Sequence, residues 1–113
     1  MKFLQEDWEI NAWLEVEWKG TIEWDDANRR KLTHGVNQEE IDAMFSAPFV
    51  VLGFLIPAEG AHWPPEKRYF SLGKSSTGRY ISVIWTTRGK SIRPISMRSS
   101  TNAEAKHAKN KIG

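Results

Sequence analysis

Cysteine is absent from the chain, which excludes a disulfide framework and a thiolate metal site and suits a reducing, cytoplasmic compartment. No apolar run approaches the roughly 20 residues that span a bilayer, so no membrane partner is expected. The opening Met1-Lys2-Phe3-Leu4-Gln5-Glu6-Asp7 brings in acids too early for a secretory leader. Low-complexity tracts are missing. The tryptophans at 8, 13, 18 and 24 have spacings of five and six that match no single face, so they read as core and rim aromatics. Acid is scarcest in the second part of the chain. Residues 67–113 hold eleven Lys and Arg against Glu104 alone, whereas residues 1–66 hold five against thirteen Asp and Glu. The formal net charge of +2 conceals this division. Such a basic half suits a polyanion or an acidic protein, and charge by itself does not choose between them.

What is present fits one domain over residues 1–113, with 40% apolar residues for a modest core. Ile10, Ala12, Leu14, Val16 and Trp18 alternate with polar neighbours, which predicts a half-buried strand over 10–18 with Trp13 as the exception. Ile22 and Trp24 suggest a short second strand, joined through a loop of Lys19 to Thr21 or as one bent strand. Asp25 or Asp26 can cap a helix running to about Thr33, and Gly35 can stop it. Asn37 with Glu40 three residues on forms a capping-box pattern, and Val36 and Ile41 occupy the flanking hydrophobic positions, so a second helix starts here and ends before Pro48. Phe49–Ile56 reads as a buried strand and 57–66 as the longest loop. Strands at 68–72, 79–86 and 91–97 follow, separated by turns at 75–78 and 88–90. Pro94 cannot donate to a ladder, so the last strand needs a bulge or an unpaired side there. Thr101 and Glu104 form a second capping box that opens a C-terminal helix. Helices grouped before a run of hairpin-linked strands imply an α+β fold. Its antiparallel sheet has about four to six strands, preceded by two helices and followed by one.

Several ordered motifs resemble the BrnT toxin family. They are Ile22-Glu23-Trp24-Asp25; His34-Gly35-Val36 followed by Glu39-Glu40; Arg68-Tyr69-Phe70-Ser71-Leu72-Gly73; Thr77-Gly78-Arg79-Tyr80-Ile81-Ser82-Val83; and Thr87-Arg88-Gly89 before Ile92-Arg93-Pro94-Ile95-Ser96-Met97-Arg98. The similarity covers about residues 21–105, and residues 1–20 lie outside it as an extra N-terminal strand segment. The resemblance implies a RelE-like fold and the toxin half of a type II toxin–antitoxin system, an endoribonuclease that blocks translation. It also implies a BrnA-like antitoxin with a ribbon-helix-helix DNA-binding part, so that operator DNA is contacted indirectly through that partner.

Cleaving RNA without metal or cofactor needs a base for the 2′-hydroxyl, an acid for the leaving oxygen and cations for the charged transition state. Arginine suits the cationic role because its fork matches two phosphate oxygens. The expected catalytic residues are His34, Arg88 and Arg98, with Lys31, Arg68, Arg79 and Arg93 as RNA or phosphate contacts. His34 is the histidine inside a family motif, and imidazole is the side chain suited to acid or base work at neutral pH, although a histidine beside a capping glycine can simply serve the helix end. Asp25 reads better as a cap than as a catalyst, and Glu23 and Asp25 can pair with these arginines structurally. Trp63 can stack a base or anchor its loop, and His62 and His107 show no ligand spacing. Thr33 stands where the family commonly has a basic residue, and Pro94 replaces an aliphatic one. These departures leave a second function open, a catalytically weak or inactive protein on the same fold that binds its antitoxin or another target such as gyrase. The antitoxin is expected to cover the basic sheet face.

Overall fold

The computed structural model describes residues 8–32, 35–55 and 66–113. In chain order these form α1 (Trp8–Val16), α2 (Asp26–Arg29), α3 (Gln38–Phe45), β1 (Phe49–Leu55), β2 (Arg68–Lys74), β3 (Tyr80–Arg88), β4 (Ser91–Ser99) and α4 (Asn102–Ile112). The strands pair antiparallel in the order β1-β2-β3-β4, so the fold is α+β with a four-stranded meander.

Two cores cover the two faces of the sheet. On one face, Tyr69, Ile81, Val83, Trp85, Ile92 and Met97 meet Ile10 of α1, Val36 ahead of α3, and Ile41, Met44 and Phe45 of α3. On the other, Phe70 and Leu72 meet Ala108 of α4. Because side chains alternate along a strand, the paired residues sort cleanly. Trp85 faces α3, while its neighbours Ile84 and Thr86 face the α4 side.

The capping signals place the helices as expected. Asp25 accepts from the backbone N–H of Asn28, Asn37 from that of Glu40, and Thr101 from that of Glu104, each in a reciprocal capping box. α2 is shorter than the expected run to Thr33. Its helical hydrogen bonding ends by Leu32, and Gly35 follows at φ +77°. The Pro94 expectation is also met. The register of β3 with β4 shifts between Ile84 and Trp85, leaving Ile95 as the extra residue of a bulge, and β4 is an edge strand.

The N-terminal strand is corrected to a helix. Ile10, Trp13 and Leu14 lie at helical spacing and turn to the core, whereas Val16, which the alternation placed inside, is 63% exposed. Trp13 broke the alternation because it belongs to the buried side of a helix, with its ring 6.4 Å from that of Trp85. The expected short strand at Ile22 and Trp24 is reduced to a single parallel bridge between Ile22 and Ile92. Of the expected loop over 57–66, residues 57–65, with His62 and Trp63, lie outside the described residues.

Candidate functional site

The strand pleat decides which cations meet. Thr86 pairs with Arg93, Ile84 with Ser96 and Ser82 with Arg98, so Arg93 and Arg98 share the sheet face that α4 packs on. Arg68 and Arg88 have the same parity on β2 and β3. α4 covers this face around Leu52, Phe70, Leu72, Tyr80 and Ile84. The bare end, closed on one side by α2, is a cleft of about 230 Å³ lined by Lys31, Glu66, Arg68, Arg88, Arg93 and the Pro94–Ile95 bulge, with Ala27 and Asn28 from α2.

The side of the cleft formed by α2 is fixed by Asn28, which is 3% exposed. Its Nδ2 donates to the carbonyls of Glu23 (2.8 Å) and Pro94 (3.2 Å), and its Oδ1 accepts from the Asp25 N–H at 2.7 Å. The bulged strand therefore presents its Pro94 carbonyl to a helix side chain. Among the sequence-predicted site residues, Lys31, Arg68, Arg88 and Arg93 come together in this cleft. Two others do not line it. Arg79 reaches toward α3, where Nε and Nη2 donate to the Glu40 carboxylate at 2.8 Å each, and Nη2 also donates to the Gly35 carbonyl. Arg98 donates in fork geometry to Glu104 at 2.6 and 2.9 Å. His34 lies outside the described residues.

Carboxylates already occupy part of the cleft. Glu66 pairs with Arg88 and stands 3.8 Å from Arg68 Nε, too far for a hydrogen bond. That Nε is buried without a hydrogen-bond partner among the described residues. Arg93 donates to Asp25 at 2.7 Å and lies 3.5 Å from Glu23, the structural pairing anticipated for those acids. The hydrogen bond from Arg93, supported by the Asn28 N–H, holds Asp25 at about 2, well below its ordinary value. Lys31 is exposed and carries no ion pair among the described residues.

The sequence reasoning missed Glu66 and Asn28. Glu66 sits two residues before the motif arginine Arg68, and that spacing was its only signal. No group of three or more His, Asp or Glu able to hold a metal ion stands together among the described residues, and no helix there is long and apolar enough to cross a membrane.

Four cations, a carboxylate and an unmatched guanidinium N–H around a solvent-open cleft can hold a phosphodiester and supply both charge and a proton acceptor at its edge. These features define a small α+β domain with an anion-receiving cleft at one end of its antiparallel sheet. The family model described as "Ribonuclease toxin, BrnT, of type II toxin-antitoxin system" matches residues 24–104, and the chain belongs to that family. A search of curated proteins found no match to the chain. Membership carries with it an antitoxin partner.

Proposed function

We propose that this protein is an endoribonuclease that inhibits translation by cutting RNA in the Lys31–Arg68–Arg88–Arg93 cleft, without a metal ion. The observation that carries this is the convergence of those four cations on one cleft, with a buried Arg68 N–H that has no acceptor among the described residues. A phosphate oxygen is the natural acceptor for that N–H, since a buried donor left unmatched costs roughly 1–3 kcal/mol.

In the reaction proposed, Arg88 exchanges Glu66 for a phosphate oxygen of the substrate. Freed of that ion pair, the Glu66 carboxylate accepts the proton of the ribose 2′-hydroxyl. The 2′-oxygen bonds to phosphorus, the bond to the 5′-oxygen breaks, and an acid returns a proton to the leaving oxygen. The products are a 2′,3′-cyclic phosphate and a 5′-hydroxyl. His34 is the sequence candidate for that acid. Arg68 and Arg88 stabilise the charge that builds on the equatorial oxygens, while Lys31 and Arg93 bind the neighbouring phosphates. Arg98 steadies the adjoining surface through Glu104.

The antitoxin, proposed to be BrnA-like with a ribbon-helix-helix part, neutralises the toxin by covering this cleft. The purified protein should fragment RNA in excess EDTA and leave cyclic phosphate ends. Arg88→Ala and Arg68→Ala should each lower the rate by about 10²- to 10³-fold, the loss typical of one transition-state donor. Equal fragmentation by wild type and Arg88→Ala would remove the cleft from the reaction. Growth arrest that persists in a variant unable to cut RNA would favour the binding-only alternative, in which the protein acts on a target such as gyrase.

A further inference from the structure

Arg88, Arg93 and Arg98 on the strands hydrogen-bond to carboxylates, but the lysines of α4 do not pair with any among the described residues. Lys106, Lys109 and Lys111 are exposed and carry no ion pair among the described residues. The helix has one acid, Glu104, and it is fully engaged. Its carboxylate accepts from Arg98, from the Thr101 N–H at 2.9 Å and from the Ser82 hydroxyl at 3.0 Å. α4 is also firmly seated. Ala108 is buried against Phe70 and Leu72, and the Tyr80 hydroxyl donates to the Gly113 carbonyl at 2.6 Å. Unneutralised charge is thus presented from a fixed support rather than from a loose tail.

Where this helix sits gives the charge a use. The parity of β2, β3 and β4 puts Arg68, Arg88, Arg93 and Arg98 on the sheet face that carries α4. The cleft and Arg98 therefore lie on the side of the sheet on which α4 packs. The family match covers residues 24–104 and so ends in the first turn of α4.

We propose that the exposed side of α4, through Lys106, Lys109 and Lys111, is a second RNA-binding surface that carries single-stranded RNA leading to or from the cleft. This rests on the ribonuclease reading, which it extends from one scissile phosphate to a longer substrate. Lysine suits the task because a flexible point charge follows a backbone without demanding a base or a fixed phosphate orientation. The surface adds affinity without sequence preference, so oligomers too short to leave the cleft gain nothing from it.

The test is fluorescence anisotropy of the full chain with labelled 2′-O-methyl oligoribonucleotides of about 4 and about 14 nucleotides, which bind without being cut. Wild type is compared with the triple variant Lys106→Ala, Lys109→Ala, Lys111→Ala. Alanine favours helix, so circular dichroism should show α4 retained. The triple variant is expected to lose on the order of tenfold in affinity for the long oligomer at low salt. Its salt slope should fall by about 2, since each phosphate contact on a single strand contributes about 0.7. Its affinity for the short oligomer should be unchanged, whereas Arg88→Ala should weaken both lengths. Equal affinity of wild type for the two lengths, or no loss in the triple variant, overturns the proposal. So does a loss seen with polyglutamate but not with RNA, which would assign α4 to an acidic protein. A wild type that cuts no RNA, yet binds long oligomers through these lysines, would sink the nuclease reading and leave the α4 surface standing.

Discussion

At Glu40 one carboxylate organises three parts of the chain. It completes the cap of α3, accepts from Nε and Nη2 of Arg79 and accepts from the Thr77 hydroxyl at 3.1 Å. Arg79 therefore works as a tie between α3 and the turn before β3. Glu40→Gln should cost about 2 kcal/mol in urea unfolding, from a weakened cap and lost charge-assisted hydrogen bonds. Arg79→Ala should lower the urea midpoint while RNA cleavage per folded molecule stays unchanged. A large loss of cleavage with unaltered stability would return Arg79 to the RNA contacts. Asp25 offers the opposite case. Asn caps a helix as well as Asp does, so Asp25→Asn should keep α2 while loosening the hold on Arg93. RNA affinity in anisotropy should then rise by about two- to fivefold, the scale of an exposed ion pair. An unchanged affinity would mean that Asp25 does not compete with phosphate.

At the scale of elements, α1 shows where periodicity misleads. Residues 10–18 satisfy a strand template, yet they form a helix because Trp13 can cover Trp85 only from a helical face. The two geometries differ in a measurable way. In a strand Leu14 and Val16 share a face, whereas in α1 Leu14 packs on the core and Val16 is exposed. Val16→Lys should change stability by less than about 0.5 kcal/mol, and Leu14→Lys should be clearly destabilising. Equal effects would contradict the helix. Packing between elements is as sharply set at Gly73 of β2, where an added Cβ would stand 2.4 Å from Met44 Cγ of α3. Gly73→Ala should cost about 1–3 kcal/mol in unfolding experiments, because the buried Met44 must move. The capping boxes at Asn37 and Thr101 and the bulge at Pro94 were legible because each depends on residues a few positions apart.

For the whole molecule, acid resistance depends on carboxylates tied to arginines. Hydrogen bonds from Arg79 lower Glu40 from 4.5 to about 2, those from Arg98 lower Glu104 from 4.5 to about 2, and Arg93 lowers Asp25 from 3.8 to about 2. A depressed native value means that the ionised form favours folding. The stability is therefore complete above the ordinary carboxylate range and drains away as pH falls from about 5 toward 2. Thermal unfolding followed from pH 7 to 2 should show the midpoint falling in that window, with a smaller fall in Glu40→Gln. A flat profile would mean that the pairs are not maintained in solution. The sequence alone determined the α+β class, the hairpin-linked strands, the caps and the accumulation of arginines after residue 66, since these follow from local spacing and composition. The tertiary structure decided which arginines gather. Arg68, Arg88 and Arg93 reach the cleft because sheet parity and the bare end of the α4 face put them there, while Arg79 and Arg98 are held by Glu40 and Glu104. It also brought Glu66 and Asn28 to the same cleft. Such pairings join residues up to 70 positions apart, as between Glu23 and Arg93, and they are set by strand register and burial, which no local spacing encodes.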